Sequence, residues 1–532
     1  MTRDYQASLG MVDNWPVVFM AASSEFLSAV RDLNLLQTNA EVLAKCKQPG
    51  VNFQLAALES LRVHLKRVGH EVQDLNQLNA IHIAGTKGKG STSIFCEAVL
   101  QRLPVKAIPA TRSQELTVGV YTSPHLVEVR ERIRLNGRPI SRTLFSRYFY
   151  ECWDRAIVPY QDATKGTYQP GDLLRPGYFQ FLTLLAYHVF LSERVDVAVL
   201  EVGMGGRFDA TNLVPKPTVC GITSLGLDHQ AVLGNTLREI AYQKAGIAKA
   251  RVPLLTVTQP PDATDAIVQA ANEAATTVTC PPSFTRYTNA DQIHVGIAGT
   301  HQRSNAELAV ALVLTWLRQS PLKTRLPELS EPLIQLPDFV LQGVAAARWP
   351  GRSQTVVTTN PTITWHLDGA HTTESIDACI TWFLQHAKLN EPTVLLFNCS
   401  RGRQGSDMLA QLAQALLLRR VPIVAAVFCP NITQRLDGQN HTVTKHQQLA
   451  EPQSNAVAWQ ALYNKASRSC TTHVCLSIDR AVAWIQALGN PALTPTQVLV
   501  TGSLHLVGGV LDIVQGSPFI SDAVNNGTKS IM

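Results

Sequence analysis

The ten cysteines of this 532-residue chain form no Cys-x-x-Cys pair. The nearest approach to a metal set is Cys470 and Cys475 about His473, and two thiols with one imidazole are too few for a zinc site. Cys96, Cys220, Cys399 and Cys429 lie within or beside apolar runs, where a free thiol behaves as a small hydrophobe. The cysteines therefore read as reduced thiols of an intracellular protein. Also absent is any run of about eighteen or more apolar residues, so no membrane span is expected. The best approximation, Tyr178 to Leu191, is short and carries Gln180 and His188, as a buried helix would. Near the N-terminus, Trp15 to Ala22 contains Pro16 and follows Asp4 and Asp13, a poor signal or transit peptide. A cytoplasmic location is expected, with a mitochondrial form allowed. Lys and Arg form no dense block and the formal charge is only +6, so no nucleic-acid partner is called for. The mild basic excess suits an anionic small substrate and a solvated surface equally well.

What is present is apolar substance, 45% of residues, enough for sizeable cores in a chain too long for one. From residue 80 to about 300, short apolar runs alternate with helical stretches. Strands are expected at Ala80–Ala84, Val118–Thr122, Val195–Val202, Thr218–Thr223 and Val252–Val257. Helices are expected at Gly90–Arg102, Ser141–Trp153, Gly177–Ser192, Thr236–Ala250 and Asp262–Ala275. Such strands imply an α/β fold: a P-loop-type parallel sheet with helices on both faces. Residues 320–351, with five prolines, read as a connector. A second alternation follows, with strands at Thr362–Leu367, Thr393–Asn398, Pro422–Phe428, His473–Ser477 and Gln497–Thr501, implying a smaller Rossmann-like domain. Asp437 to Asn455 is polar and reads as a surface loop. The division expected is 1–340 and 341–532.

The most informative segment is Ala80-Ile-His-Ile-Ala-Gly-Thr-Lys-Gly-Lys-Gly-Ser-Thr92, a strand, a glycine turn and a helix start. Such a turn aims backbone N–H groups and a helix N-terminus at one point, where a polyphosphate can sit. Lys89 can reach terminal phosphates and the Ser91 hydroxyl can ligate Mg2+. The common pattern is departed from: Ile83 stands where the first glycine is usual, and Gly90 follows Lys89.

Further segments end strands or open helices, where ligands of such sheets collect. Tyr121-Thr-Ser-Pro-His-Leu126 offers hydroxyls and an imidazole. Leu200-Glu-Val-Gly-Met-Gly-Gly-Arg207 puts a carboxylate at a strand end, costly unless paired or bound to a cation. Ser224 to Gly234 delivers Asp228 and His229, and Thr236 to Lys249 is a helix ending Lys-Ala-Gly-Ile-Ala-Lys. Each has a bland reading: a Ser-Pro turn, a Glu201–Arg207 pair, a helix cap, a solvated lysine. Together, hydroxyl, carboxylate and imidazole suit Mg2+-bound ATP.

In order along the chain, GTKGKGS, YTSPHL, LEVGMGGRFDATN, ITSLGLDHQAVLG, QKAGIAK, GTHQRSNAELA, WPGR, LDGAH and TGSLHLVGG resemble the folylpolyglutamate synthases of eukaryotes, within the Mur-type ligase superfamily. The resemblance runs from about Val30 to Gly509. It implies that Thr86, Lys87, Gly88, Lys89, Gly90 and Ser91 cradle the triphosphate of ATP, with Gln302 and Asn305 towards adenine. Arg352, Asp368 and His371 would reach the nucleotide from the second domain. Ser91 and Glu201 would hold one Mg2+, and Ser123 and His229 would help hold a second. A monovalent cation such as K+ is compatible with this set. Lys244 matches a lysine that is carbamylated to ligate that metal, making Lys89, Lys244 and His229 the catalytic set. Phe179 and Asp209 match positions that contact folate.

The implied reaction joins L-glutamate in γ-linkage to tetrahydrofolate or its polyglutamates through an acyl phosphate, in a monomer. The nearest rival is dihydrofolate synthase. Peptidoglycan-type ligases and a P-loop switch without ligase activity fit less well. Two stretches look foreign to the family: Gly10 to Ala29, and Pro104 to Gln114.

Overall fold

Alternate residues of each central strand are buried on opposite faces, so every strand must be covered twice. Along Val197–Glu201, Val197 and Val199 enter one apolar cluster while Ala198 and Leu200 enter another. That pattern forces helices onto both faces. The computed structural model describes residues 17–37, 53–104, 116–157, 175–329, 332–359, 362–399, 405–433, 445–466, 470–488 and 496–516.

The first sheet contains β1 (Ile81–Ala84), β2 (Val118–Tyr121), β3 (Ile133–Leu135), β4 (Arg138–Pro139), β5 (Val197–Glu201), β6 (Val219–Ile222), β7 (Leu254–Thr256) and β8 (Val278–Thr279). Its order is β4-β3-β2-β5-β1-β6-β7-β8. The strands from β2 to β8 run parallel, while β3 and β4 are added antiparallel at one edge. All five strands expected here form, shortened by a residue or two at their ends. The antiparallel pair, β8 and the helix Gln302–Gln319 were not anticipated.

The second sheet contains β9 (Gln354–Thr359), β10 (Thr362–Leu367), β11 (Thr393–Phe397), β12 (Ile423–Phe428), β13 (Thr471–Val474) and β14 (Thr496–Thr501). Its order is β13-β12-β11-β14-β10-β9, parallel except for β9. It too has an apolar cluster on each face. The two-domain α/β class is therefore as expected.

Two local readings change, and a third segment is partly described. The proline-rich interval 320–351 is not a bare connector. Its described part folds into two 3-10 turns and the helix Asp338–Ala346, and Leu322, Leu326, Leu329, Phe339, Val340 and Val344 enter a first-domain cluster. Proline fixes φ and suits turns and helix starts, so the prolines punctuate packed turns here. The backbone of Val99 lies 2.5 Å from where a Cβ on Gly343 would sit, so this helix presses on the helix Lys89–Leu100. The polar stretch 437–455 is helical from Lys445 onward; residues 437–444 lie outside the described residues. Gly10 to Ala29 is described only from Val17, where a helix runs to Asn34. Phe26 and Ala29 are buried, and the Phe26 ring meets that of Phe145 edge-on at 5.5 Å. Residues 105–115, nearly all of the second foreign-looking stretch, lie outside the described residues.

Phe26→Ala should cost about 3–5 kcal/mol of unfolding free energy, the usual range for emptying a buried phenylalanine site. The urea midpoint measures it. An unchanged midpoint would show that the helix Val17–Asn34 is not part of the cooperative core.

Candidate active site

The glycine turn after β1 works because its backbone is crowded from outside. A Cβ on Gly85 would lie 1.8 Å from the Thr223 hydroxyl, and one on Gly88 would lie 2.2 Å from the Asn305 side-chain oxygen. Both glycines have positive φ, 151° and 90°, which L side chains resist. The turn is tied down by the Ser224 carbonyl, which accepts the N–H groups of Thr86 and Lys87 at 3.0 and 3.1 Å. The helix Lys89–Leu100 then opens at Gly88 without a side-chain cap, which leaves its first N–H groups facing the cleft. Ser91, in its first turn, is buried.

Lys89 folds back and donates to the Gly85 carbonyl at 2.9 Å. Lys244 does the same from the other side, at 2.8 Å. Lys244 is near the end of the helix Leu237–Ala245 but is not a solvated surface lysine: only 2% of it is exposed. Burial, and after it the charge of Lys89, lowers its pKa from 10.5 to about 7. Near neutrality this amine is therefore substantially unprotonated.

Glu201 is the last residue of β5 and is buried. Its Oε2 accepts the Ser123 N–H at 3.0 Å. Burial raises its pKa, opposed by the charges of Lys89, Arg352 and Arg132. Its anticipated structural partner Arg207 instead approaches Glu273 at 3.8 Å and stacks on the Tyr242 ring. Gly90 lies between Glu201 and Trp349: a Cβ there would be 3.5 Å from Oε2 and 3.4 Å from the indole nitrogen. Asp228 lies 3.9 Å from the Lys87 ammonium. Burial works against its ionisation, but His229, Lys87, the His229 N–H and His371 together hold its carboxyl below the usual range. His229 is exposed beside it with φ of 53°.

The second domain completes the ring. Asp368, just past β10, accepts the N–H and hydroxyl of Ser353 at 2.8 and 3.1 Å through one oxygen, and the Ala370 N–H through the other. His371 Nδ1 donates to the Gly369 carbonyl at 2.8 Å. Gln302 and Asn305 open the helix Gln302–Gln319 and bond to each other at 3.0 Å. Gln302, Asn305, Asp368 and His371, with Lys87, Lys89, Ser91, Ser123, Glu201, His229 and Arg352, line one cleft of about 590 Å3 between the domains, while Lys244, bonded to the Gly85 carbonyl, does not line it. That size suits a nucleotide or a drug-sized ligand.

Phe179 and Asp209 do not line the cleft. The Phe179 ring packs on Gly203, where a Cβ would lie 2.3 Å away. Asp209 turns inward and accepts the Met204 N–H, the Thr211 N–H and the Thr211 hydroxyl, fixing the glycine-rich turn after β5. Sequence reasoning gave no role to Trp349 or to Arg134, whose guanidinium lies 5.7 Å over the Trp349 ring while pairing with Glu97. Trp349 stands in a motif that was noticed for its arginine alone. Among the described residues no three His, Cys, Asp or Glu side chains converge as a metal set. The cleft instead is lined by Glu201, Ser91 and Ser123, whose carboxylate and hydroxyl oxygens are hard donors that fit Mg2+ when phosphates and water supply the remaining ligands.

No family model matches the chain. Curated relatives do. The mitochondrial folylpolyglutamate synthase of Bos taurus is 38% identical over 579 aligned residues, covering 94% of each chain. The folylpolyglutamate synthase of Candida albicans is 36% identical, covering 92% of this chain and 96% of its own. Among solved structures, the Mycobacterium tuberculosis folylpolyglutamate synthase complexed with ADP superposes with a TM-score of 0.68 at 22% identity, covering 93% of this chain and 99% of that one. E. coli FolC in complex with DHPP and ADP gives 0.64 at 22% identity, covering 93% and 98%. These two support the fold; the curated relatives, aligned over nearly their whole length, show that the chain belongs to the folylpolyglutamate synthase family.

Proposed function

We propose that the cleft between the two sheets is where this enzyme carries out ATP-dependent γ-ligation of L-glutamate to folates, using tetrahydrofolate or its polyglutamates. The observation that carries this assignment is the meeting of the Lys89 turn and Glu201 with Arg352, Asp368 and His371 around one cleft. The terminal γ-carboxylate of the folate attacks the γ-phosphorus of ATP, ADP leaves, and an acyl phosphate forms. The glutamate amine then attacks the acyl carbon, phosphate leaves, and the amine's proton passes to a base or water. Little covalent chemistry falls to the protein; its work is aligning anions and neutralising charge. Lys87 and Lys89, with the N–H groups opening the helix Lys89–Leu100, take the phosphates, and Arg352 approaches from the other domain. Gln302 and Asn305 lie on the adenine side. Domain closure keeps water from the acyl phosphate.

Ser91 and Glu201 would hold one Mg2+, and Ser123 and His229 would contribute to a second; K+ is compatible with the remaining oxygen donors. Bound there, the metal neutralises the phosphate oxygens. Lys244, whose pKa of about 7 leaves part of it as free amine near neutrality, can in that form attack CO2 and lose a proton to give an anionic carbamate, an oxygen ligand in place of an ammonium. Phe179 and Asp209 are assigned to the folate side as shapers of the turn after β5. The enzyme is taken to act as a monomer, in the cytoplasm or the mitochondrion.

Incubation with tetrahydrofolate, MgATP and labelled L-glutamate should give γ-glutamylated product and glutamate-dependent phosphate release. Turnover with dihydropteroate in place of tetrahydrofolate would assign the chain to dihydrofolate synthesis instead. ATP hydrolysis without glutamate transfer would make it a P-loop hydrolase.

Lys89→Ala should lower kcat by about 10²-fold or more, as loss of a single electrostatic stabiliser does, with unfolding unchanged. Near-normal turnover would remove the loop from the reaction.

Lys244 yields a pH prediction. Between pH 7 and the ordinary lysine value of 10.5, the unfolded chain holds a proton that the folded chain does not. Stability from this group therefore rises with pH across that window. In CO2-free buffer without nucleotide, wild type should gain stability relative to Lys244→Met from pH 7 to 10, read by urea unfolding. A gap that stays constant with pH would mean that the amine stays charged. Lys244→Ala and Lys244→Arg should both be nearly inactive, and wild-type rates in the arginine variant would rule out the carbamate.

A further inference from the structure

We propose that Leu126 is a positioning residue of the ligase, the knob on which the second domain is seated so that Arg352, Asp368 and His371 meet the phosphate turn. This inference rests on the two-domain reading of the site given above.

Leu126 belongs by sequence to the first domain, in the turn after β2. Its side chain nevertheless packs against the second domain's apolar cluster, the one built from Trp365, Leu367, Val500 and Val507. The socket is cut from glycine. A Cβ on Gly508 would lie 2.0 Å from the Leu126 carbonyl oxygen, and one on Gly351 would lie 3.0 Å from its Cδ1. At Gly508 the obstacle is backbone, so a side chain there would push one domain from the other; at Gly351 it is the end of the Leu126 side chain, against a backbone whose φ of 75° itself favours glycine.

The two socket glycines stand on segments that carry the cleft. Gly351 precedes Arg352, and its carbonyl accepts the Gly369 N–H at 3.1 Å, between Asp368 and the approach to His371. Gly508 lies in the helix Leu504–Gln515, whose first residues line the cleft together with Ser503. A displacement at Leu126 is thus passed on within one residue of Gly351, at Arg352, and within about one helical turn of Gly508, at Leu504 and His505.

The knob itself is rigidly held. The buried Glu131 carboxylate accepts three consecutive backbone N–H groups, those of Leu126, Val127 and Glu128, at 2.8, 2.9 and 2.6 Å. A neighbouring contact crosses the same seam, His125 to His505, with ring centroids 6.4 Å apart. A carboxylate spent on fixing three amides of a turn is explained if the turn's position matters to both domains.

The test compares Leu126→Ala, Leu126→Met and Gly508→Ala in the full-length enzyme, with ATP binding, ligation rate and unfolding read separately. Misplacing aligned groups by about 1 Å can cost about 10²-fold in rate. Leu126→Ala and Gly508→Ala should therefore lower kcat by about 10-fold or more. ATP affinity, held largely by the first-domain turn, should change much less, and unfolding of the two domains should separate into two transitions. Leu126→Met, of similar volume, should retain kcat close to wild type. Wild-type kcat and a single unfolding transition in Leu126→Ala would overturn the proposal. So would equal losses of rate and stability in the alanine and methionine variants, which would make Leu126 a core residue only. If wild-type enzyme ligates no glutamate, the reading of the site fails. The seating of the domains is then still decided by whether unfolding splits in Leu126→Ala.

Discussion

Two ammonium groups converge on one carbonyl oxygen, that of Gly85, and much of the site follows from how that conflict is resolved. Lys89 arrives from the helix that the turn opens, and Lys244 from the last turn of the helix Leu237–Ala245. Two full positive charges sharing one acceptor in a buried setting repel strongly. The more buried of them gives way: Lys244 shifts towards the neutral amine while Lys89 stays at the cleft. One carbonyl thus separates a lysine suited to phosphate from a lysine suited to chemistry as a free amine. The crowding that holds Gly85 in place is therefore an electrostatic device as much as a steric one.

The opposite charge is handled in the same economical way. Glu201 is buried at a strand end, where an unpaired carboxylate would be expensive, and the described residues supply it with one backbone N–H and the more distant fields of Lys89, Arg352 and Arg132. That is incomplete satisfaction for a carboxylate with about four lone-pair sites. Asp209 shows the alternative, since it accepts three hydrogen bonds within its own turn and does not line the cleft. The contrast separates a carboxylate left open to a cation from a carboxylate that holds a turn in shape.

Sequence alone carried the strands and the order of the motifs well, because strands buried on both faces leave a dense apolar signature and the glycine turns have few other uses. Glu201, Lys89, Asp228 and Arg352 could be named from their places at strand ends and in motifs, and the fold brings them to one cleft. Local pattern was silent or misleading elsewhere. Residues 320–351 looked like a connector because proline obscures periodicity, although the apolar side chains between the prolines are core. Phe26 and Ala29 lie in a segment that breaks a familiar motif, and their burial, which depends on what faces the helix, here Phe145, leaves no such local pattern. Asp209 matches by resemblance a position that contacts folate, and in the fold its hydroxyl and amide partners are two and five residues away in the chain. Composition and spacing cannot distinguish an aspartate that faces a cleft from one that caps its wall.

Least legible of all was what joins the two sheets. Each sheet could be read from its own strands, but the seam depends on pairs far apart in sequence, such as Leu126 with Gly508, and no local pattern announces them. Glycine supplies the hint in retrospect. Gly508 sits inside a helix, where it is less favourable than alanine by roughly 1 kcal/mol, and its φ is not in the left-handed region. Backbone conformation therefore does not account for it; the approach of the Leu126 carbonyl does. A helical glycine without a conformational reason marks close approach by another chain segment, and here that segment belongs to the other domain. The phosphate turn and the residues that must close over it are thus held in register by the same means that shaped the turn itself, the absence of a side chain where two backbones meet.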